Sequence, residues 1–109
     1  MSYFKKEDLK KFGEITDLQP EMGEKFFAWY GEVFKDGALT VREKNLIALA
    51  VAHTVQCPYC MDAYTEACLS SGADETQMME AVHVAAAIKG GATLVNAVPM
   101  MNTIKSKLM

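Results

Sequence analysis

The chain has 109 residues, half of them hydrophobic, with 3 Pro and 8 Met; that is enough for one core, small for two domains and too apolar for a disordered chain. Its formal charge is −3, and basic residues cluster no further than Lys5-Lys6 and Lys10-Lys11, which excludes the electrostatic footprint of a nucleic-acid or anionic-membrane binder. The first residues, MSYFKKEDLKKFGEI, lack an apolar signal-peptide segment and no apolar run reaches the roughly 18 residues of a membrane span, so a cytoplasmic protein without membrane or nucleic-acid partners is expected.

Residues 5–12 read as a short charged helix ended by Gly13, and residues 16–19 as the linker that follows. Pro20 suits the first turn of a second helix, where a missing N–H costs nothing. That helix carries Phe26, Phe27, Trp29, Tyr30, Val33 and Phe34 to a stop at Asp36-Gly37. Thr40-Val41-Arg42-Glu43 has the Ser/Thr-x-x-Glu form of a capping box. Behind it, residues 46–55 are almost continuously apolar, as expected of a third helix buried all round. The Ala residues in this run, its length and the cap in front favour helix over strand.

Cys57-Pro58 opens a fourth helix with Pro at its first position, running through Tyr64, Ala67, Cys68 and Leu69 to Gly72. Asp74-Glu75-Thr76-Gln77 caps a fifth that ends at Gly90-Gly91, and residues 92–108 read as a last helix interrupted near Pro99. Six helices with short connections, no convincing strand and no repeat define an all-α bundle, one domain over residues 1–109, with the C-x-x-C at a helix N-terminus.

Cys57 and Cys60 form a close pair in a chain of 3 Cys. In a reducing compartment such a pattern points to redox chemistry or metal binding. With Cys57 at the N-cap and Cys60 in the first turn, unpaired N–H groups and the helix dipole favour thiolate over thiol. A thiolate attacks a peroxide or a disulfide, and the second cysteine resolves the sulfenic acid or mixed disulfide. Cys57, Cys60, Tyr64 and Cys68 recur at helical spacing and share a face. Cys68 reads as a small buried hydrophobe, and Tyr64 as an aromatic whose hydroxyl needs a partner if buried. His53, four residues before Cys57, is either a base or proton donor beside the thiolate or a helix-end histidine satisfied by a backbone carbonyl. His83 reads as structural.

Zinc sites usually offer two clustered ligand pairs; one pair is present, so neither metal nor cofactor is expected, although a dithiol also suits a soft thiophile such as trivalent arsenic. Cys-Pro-Tyr-Cys is found in glutaredoxins too, but their fold needs a strand where this chain has a capped, Ala-rich helix. The pairs Met78-Met79 and Met100-Met101, with Phe26, Phe27 and Trp29, leave more hydrophobic surface than a small monomer covers, and self-association is expected.

The order LTVREKNLIALAVAHTVQCPYC, then a helix, then EAVHVAAAIKGGATLV, resembles the carboxymuconolactone decarboxylase superfamily, in its alkylhydroperoxidase D-like branch, over residues 20–104. The resemblance implies an all-α fold assembled as homo-trimers or hexamers. It also implies a thiol-dependent peroxidase or dithiol–disulfide oxidoreductase that takes a hydroperoxide or disulfide substrate and a thiol electron donor. The family signature adds a Glu twelve residues before the first Cys and a His four after the second, forming a proton relay. Both cysteines match; the Glu position is Asn45 and the His position is Tyr64, and neither is a base at neutral pH. Tyr64 can still donate a hydrogen bond to a leaving oxygen, and Glu43 and His53 are the nearby groups able to substitute in proton transfer. The candidate site is therefore Cys57, Cys60, His53, Tyr64, Glu43 and Asn45. AHTVQCPYCMDAYTEAC is most similar to small peroxidase-like proteins associated with arsenosugar biosynthesis, which implies thiol redox chemistry near arsenic metabolism. Lactone decarboxylation is the weaker reading, because that branch generally lacks the cysteine pair. The competing reading is a non-catalytic oligomeric dithiol protein that binds a metal or an arsenical.

Overall fold

The computed structural model of the protein describes residues 5–108, apart from the side chains of residues 6 and 9. The expected lack of a signal segment falls partly on residues 1–4, outside the described ones. The chain forms a 3-10 helix, Lys6–Asp17, and five α-helices: α1 Pro20–Val33, α2 Val41–Thr54, α3 Pro58–Ser70, α4 Glu75–Val95 and α5 Ala97–Leu108. No strand occurs among the described residues.

Local chemistry sets most boundaries. Pro20 opens α1. At α2 the capping box is complete: Thr40 Oγ1 accepts the Glu43 N–H at 3.1 Å, and the Glu43 carboxylate accepts the Thr40 N–H at 2.8 Å. Asp74 and Gln77 repeat the arrangement at α4. The end of α3 is a Schellman turn: the Ala73 N–H bonds the Cys68 carbonyl at 2.9 Å and the Gly72 N–H bonds the Leu69 carbonyl at 3.2 Å. Gly72 has φ +91°, a conformation an L side chain rarely adopts. Lys44 joins α2 to the end of α1 by donating to the carbonyls of Val33 and Lys35, at 2.7 and 2.5 Å.

Four expectations change. The first element is 3-10 rather than α, and it passes Gly13 to reach Asp17. Gly90-Gly91 do not end a helix, because α4 runs through them to Val95; two glycines weaken a helix by about 1 kcal/mol each without forbidding it. Pro99 lies in the first turn of α5, where its missing N–H breaks no helical bond, so it helps start the helix it was expected to interrupt. Finally, α2 is not buried all round: Asn45, Leu49 and Ala52 are buried, while Ile47, Val51 and Val55 are half or more exposed.

The core is small. Leu49, Cys68 and Ala73 are buried, with Leu46, Tyr64 and Met78 packed around them, so α2 is the central helix against which α3 and α4 lie. His83, expected to be structural, is exposed on α4. The radius of gyration is 19.0 Å and the long axis 62 Å, against about 13 Å for the radius of a compact chain of this length. Accessible surface reaches 8490 Å², where a compact monomer of this mass exposes about 6000 Å². Part of this surface lies on the α4–α5 arm, whose Ile88, Leu94, Val95, Val98 and Ile104 are exposed, and part on the N-terminal side, where Leu18, Met22 and Trp29 are exposed. By length and composition alone that arm, Glu75–Leu108, is long and apolar enough to cross a membrane, which corrects the reading that no such run exists.

Because Leu49 is 2 % exposed at the centre of this core, Leu49→Ala is expected to cost about 2–5 kcal/mol in denaturant unfolding at fixed protein concentration. A cost below about 1 kcal/mol, within the range of a surface change, would place the core elsewhere.

Candidate functional site

Between α2 and α3 the chain reverses at Gln56, which adopts φ +57°, an unfavourable left-handed conformation for a residue other than Gly. The Cys57 N–H bonds back to the Ala52 carbonyl at 3.1 Å, which fixes the start of α3. Cys57 is the N-cap: its sulfur accepts the Cys60 N–H at 3.2 Å, taking the place of the usual capping oxygen. Pro58 follows in the first turn. The two Cα atoms are 5.2 Å apart and the sulfurs are paired as a disulfide. When the pair is reduced, an N–H donor and the positive helix end both favour negative charge on Cys57.

Beside this turn lies an open cavity of about 440 Å³. Tyr30 and Val33 of α1, with Phe34 just past its end, form one wall; Ile47, Ala48, Val51 and Ala52 of α2 form another; Cys60 and Tyr64 of α3 complete it. Cys60 reaches this cavity and Cys57 does not line it. The lining is almost wholly apolar, which explains why Ile47 and Val51 are not covered by core. Lys44 lies at the cavity too, its ammonium engaged by the carbonyls of Val33 and Lys35.

The hydroxyls of Tyr30 and Tyr64 are hydrogen-bonded to each other. Phe34 stacks on Tyr64 with ring centroids 5.3 Å apart, and Tyr30 lies 5.1 Å from Phe34. Phe12 of the 3-10 helix meets Tyr30 at 6.3 Å and Tyr59, which stands between the two cysteines, at 5.4 Å. A run of edge and stacked aromatic contacts thus brackets the cysteine turn. Burial, and then the neighbouring Tyr59, push the Tyr30 hydroxyl above its ordinary value, so it remains protonated at neutral pH.

Of the six sequence candidates, three come together: Cys57, Cys60 and Tyr64. Glu43 is committed to the α2 cap, and the hydrogen bonds from Thr40 hold its carboxyl below the usual range, which makes it a weaker base. Asn45 is buried and donates to the Ala67 carbonyl at 3.3 Å and to Ser71 Oγ at 3.1 Å, so it ties α2 to the far end of α3. The His53 ring meets the Leu49 carbonyl through Nδ1 at 2.9 Å and faces clefts toward α4, beside Val82. The left-handed Gln56 accounts for this: one-turn spacing from His53 to Cys57 does not hold across a chain reversal. Tyr30 was not among the candidates. Its only sequence signal is its place in the aromatic stripe of α1, and nothing in that stripe names Tyr64 as its partner. Among the described residues no three His, Cys, Asp or Glu side chains gather as a metal site.

Cys68 is fully buried and burial pushes its thiol up. After mild reduction, iodoacetamide is expected to alkylate Cys57 and Cys60 alone in the folded protein, with Cys68 modified only in denaturant; mass spectrometry of three alkylations under native conditions would contradict that placement.

Comparison with known proteins accords with this geometry. The model of the carboxymuconolactone decarboxylase family matches residues 20–102. A Paracoccus denitrificans protein described as uncharacterized protein 4 in the cox locus is 41% identical over 85 residues, 78% of this chain and 77% of its own. A crystal structure of a protein from Methanobacterium thermoautotrophicum superposes with a TM-score of 0.75 at 34% identity, over 79% of this chain and 97% of that one. With an all-helical architecture and the cysteine turn set inside the matched region, the chain belongs to the carboxymuconolactone decarboxylase family.

Proposed function

We propose that the protein is a thiol-dependent peroxidase of the alkylhydroperoxidase D-like kind, working through the Cys57/Cys60 dithiol. The observation that carries this reading is the placement of Cys60 on the wall of an apolar cavity, with Cys57 at bonding distance behind it and Tyr64 on the same wall. In the reduced protein the Cys60 thiolate attacks the outer oxygen of a hydroperoxide: an S–O bond forms, the O–O bond breaks, and the departing alkoxide takes a proton to become an alcohol. In this reading Tyr64, which lines the same cavity, gives that proton. The Cys57 thiolate then attacks the Cys60 sulfenic acid: the S–S bond forms, the S–O bond breaks, and the departing hydroxide takes a proton from solvent to become water. A dithiol donor closes the cycle by attacking Cys60 from the cavity and expelling Cys57, whose thiolate the Cys60 N–H and the helix end stabilise as a leaving group.

The resemblance carried by AHTVQCPYCMDAYTEAC supports a finer reading in which the substrate chemistry lies near arsenic metabolism, in the cytoplasm; a dithiol on one helical turn suits trivalent arsenic. Protection of the reduced pair from alkylation by one equivalent of a trivalent arsenical, without peroxide turnover, would favour the non-catalytic binding protein over the enzyme.

We also infer that copies of the chain assemble through the α4–α5 arm, as a trimer or hexamer. The surface excess of about 2500 Å² over a compact monomer is on the scale that obligate interfaces bury, and α5 contains no buried residue. Light scattering without detergent is expected to show the oligomer, and Ile104→Asp to dissociate it; a monodisperse wild-type monomer, or one that requires lipid vesicles or detergent to remain in solution, would contradict self-assembly.

For the chemistry, Cys60→Ser is expected to yield no alcohol from an alkyl hydroperoxide. Cys57→Ser should give one equivalent of alcohol per chain and then stop, with a trappable sulfenic acid on Cys60. Tyr64→Phe should slow the burst about 100-fold, the loss of one positioned proton donor. The reverse pattern for the two serine variants would exchange their roles, and wild-type turnover in both would sink the dithiol mechanism.

A further inference from the structure

We propose that Tyr30 is a positioning residue of this site: its hydroxyl, bonded from α1 to that of Tyr64 on α3, holds Tyr64 as the proton donor to the leaving oxygen. The assignment rests on the peroxidase reading above.

Two hydroxyls bonded to each other contain two protons and use one in the bond. With Tyr30 donating, the Tyr64 proton is left free for whatever occupies the cavity, and a donor behind it makes it a better donor. Tyr30 and Tyr64 both line the cavity that Cys60 lines, and Tyr64 lies one turn along α3 from Cys60, on the same face. The other polar side chain at the cavity, Lys44, directs two of its ammonium N–H groups to the carbonyls of Val33 and Lys35. Rotation of Tyr30 is limited by Phe26, Phe27 and Phe34, whose rings lie 5.5, 6.3 and 5.1 Å from its own. Burial keeps Tyr30 protonated, so it meets the charge that develops on its partner as an O–H donor.

The step balances as follows. The Cys60 thiolate supplies the electron pair for the new S–O bond, the O–O pair leaves on the alkoxide, and that alkoxide takes the Tyr64 proton. Tyr64 becomes a phenolate that accepts the Tyr30 O–H, and water at the open cavity mouth returns its proton. Transfer is downhill, because an alkoxide is a far stronger base than a tyrosinate of pKa about 10. A carboxylate leaving group is a much weaker base and needs no such help.

That contrast supplies the test. Reduced wild type, Tyr30→Phe, Tyr64→Phe and the double variant are mixed with tert-butyl hydroperoxide, which expels an alkoxide, and with peracetic acid, which expels acetate, and product is measured in a single turnover. Tyr30→Phe is expected to slow the alkyl hydroperoxide about tenfold, the effect of one hydrogen bond, and to leave the peracid rate at the wild-type value. The double variant should be no slower than Tyr64→Phe, because the two hydroxyls act through one proton. Wild-type rates for Tyr30→Phe with both oxidants would overturn the assignment, as would equal slowing of both, which marks a packing defect. Additive losses in the double variant would also overturn it. A wild type inert to both oxidants would fail the peroxidase reading itself, and this assignment with it.

Discussion

The hydrogen bond from the Cys60 N–H to the Cys57 sulfur, 3.2 Å across the first turn of α3, organises the rest of the site. Helices ordinarily satisfy that donor with a hydroxyl or carboxylate oxygen. Here the cap is itself one of the paired cysteines, so one contact starts the helix, sets the two sulfurs within bonding distance and favours negative charge on Cys57. The second sulfur then faces a different environment from the first. One thiol is bound to the helix end and the other opens on a cavity, a division of roles that the symmetrical motif does not reveal.

That cavity exists because α2 serves two surfaces. Its Leu49 and Ala52 side is buried toward α3 and α4, while Ile47, Val51 and Val55 stand away from the core and help enclose the space beside Cys60. The wall opposite comes from α1, which is fastened to α2 by the Lys44 ammonium on its last carbonyls and to α3 through Tyr30, Phe34 and Tyr64. The outward α4–α5 arm follows from the same shortness of chain: a core of a few buried side chains leaves apolar surface exposed.

The caps, the proline starts and the glycine turn were legible because each is local chemistry. Thr40 with Glu43, Asp74 with Gln77, Pro20, Pro58 and Gly72 act on residues within one turn of themselves. Cys68 as buried filler followed in the same way from its spacing and its neighbours. Gly90-Gly91 misled because a glycine pair lowers helix stability by an amount that the rest of a long helix outweighs. Of the two readings of His53, the helix-end histidine meeting a backbone carbonyl is the one seen; the other carried helical spacing across Gln56, where the chain leaves the helix. Asn45 and Glu43 occupy positions that read as catalytic and act as braces. Tyr30 was invisible for a plainer reason: its partner is 34 residues away, and no periodicity connects α1 to α3.

The central claim is that Cys60 and Cys57 together accept the two electrons' worth of oxidation that a hydroperoxide delivers. Its most direct test is the stoichiometry of one turnover: the reduced protein is mixed with one equivalent of an alkyl hydroperoxide, the alcohol is counted, and the oxidised bond is located by peptide mass spectrometry. One alcohol per chain, with two thiols lost and a Cys57–Cys60 disulfide formed while Cys68 remains free, is the expected result. Unconsumed hydroperoxide with both thiols still titratable would contradict it.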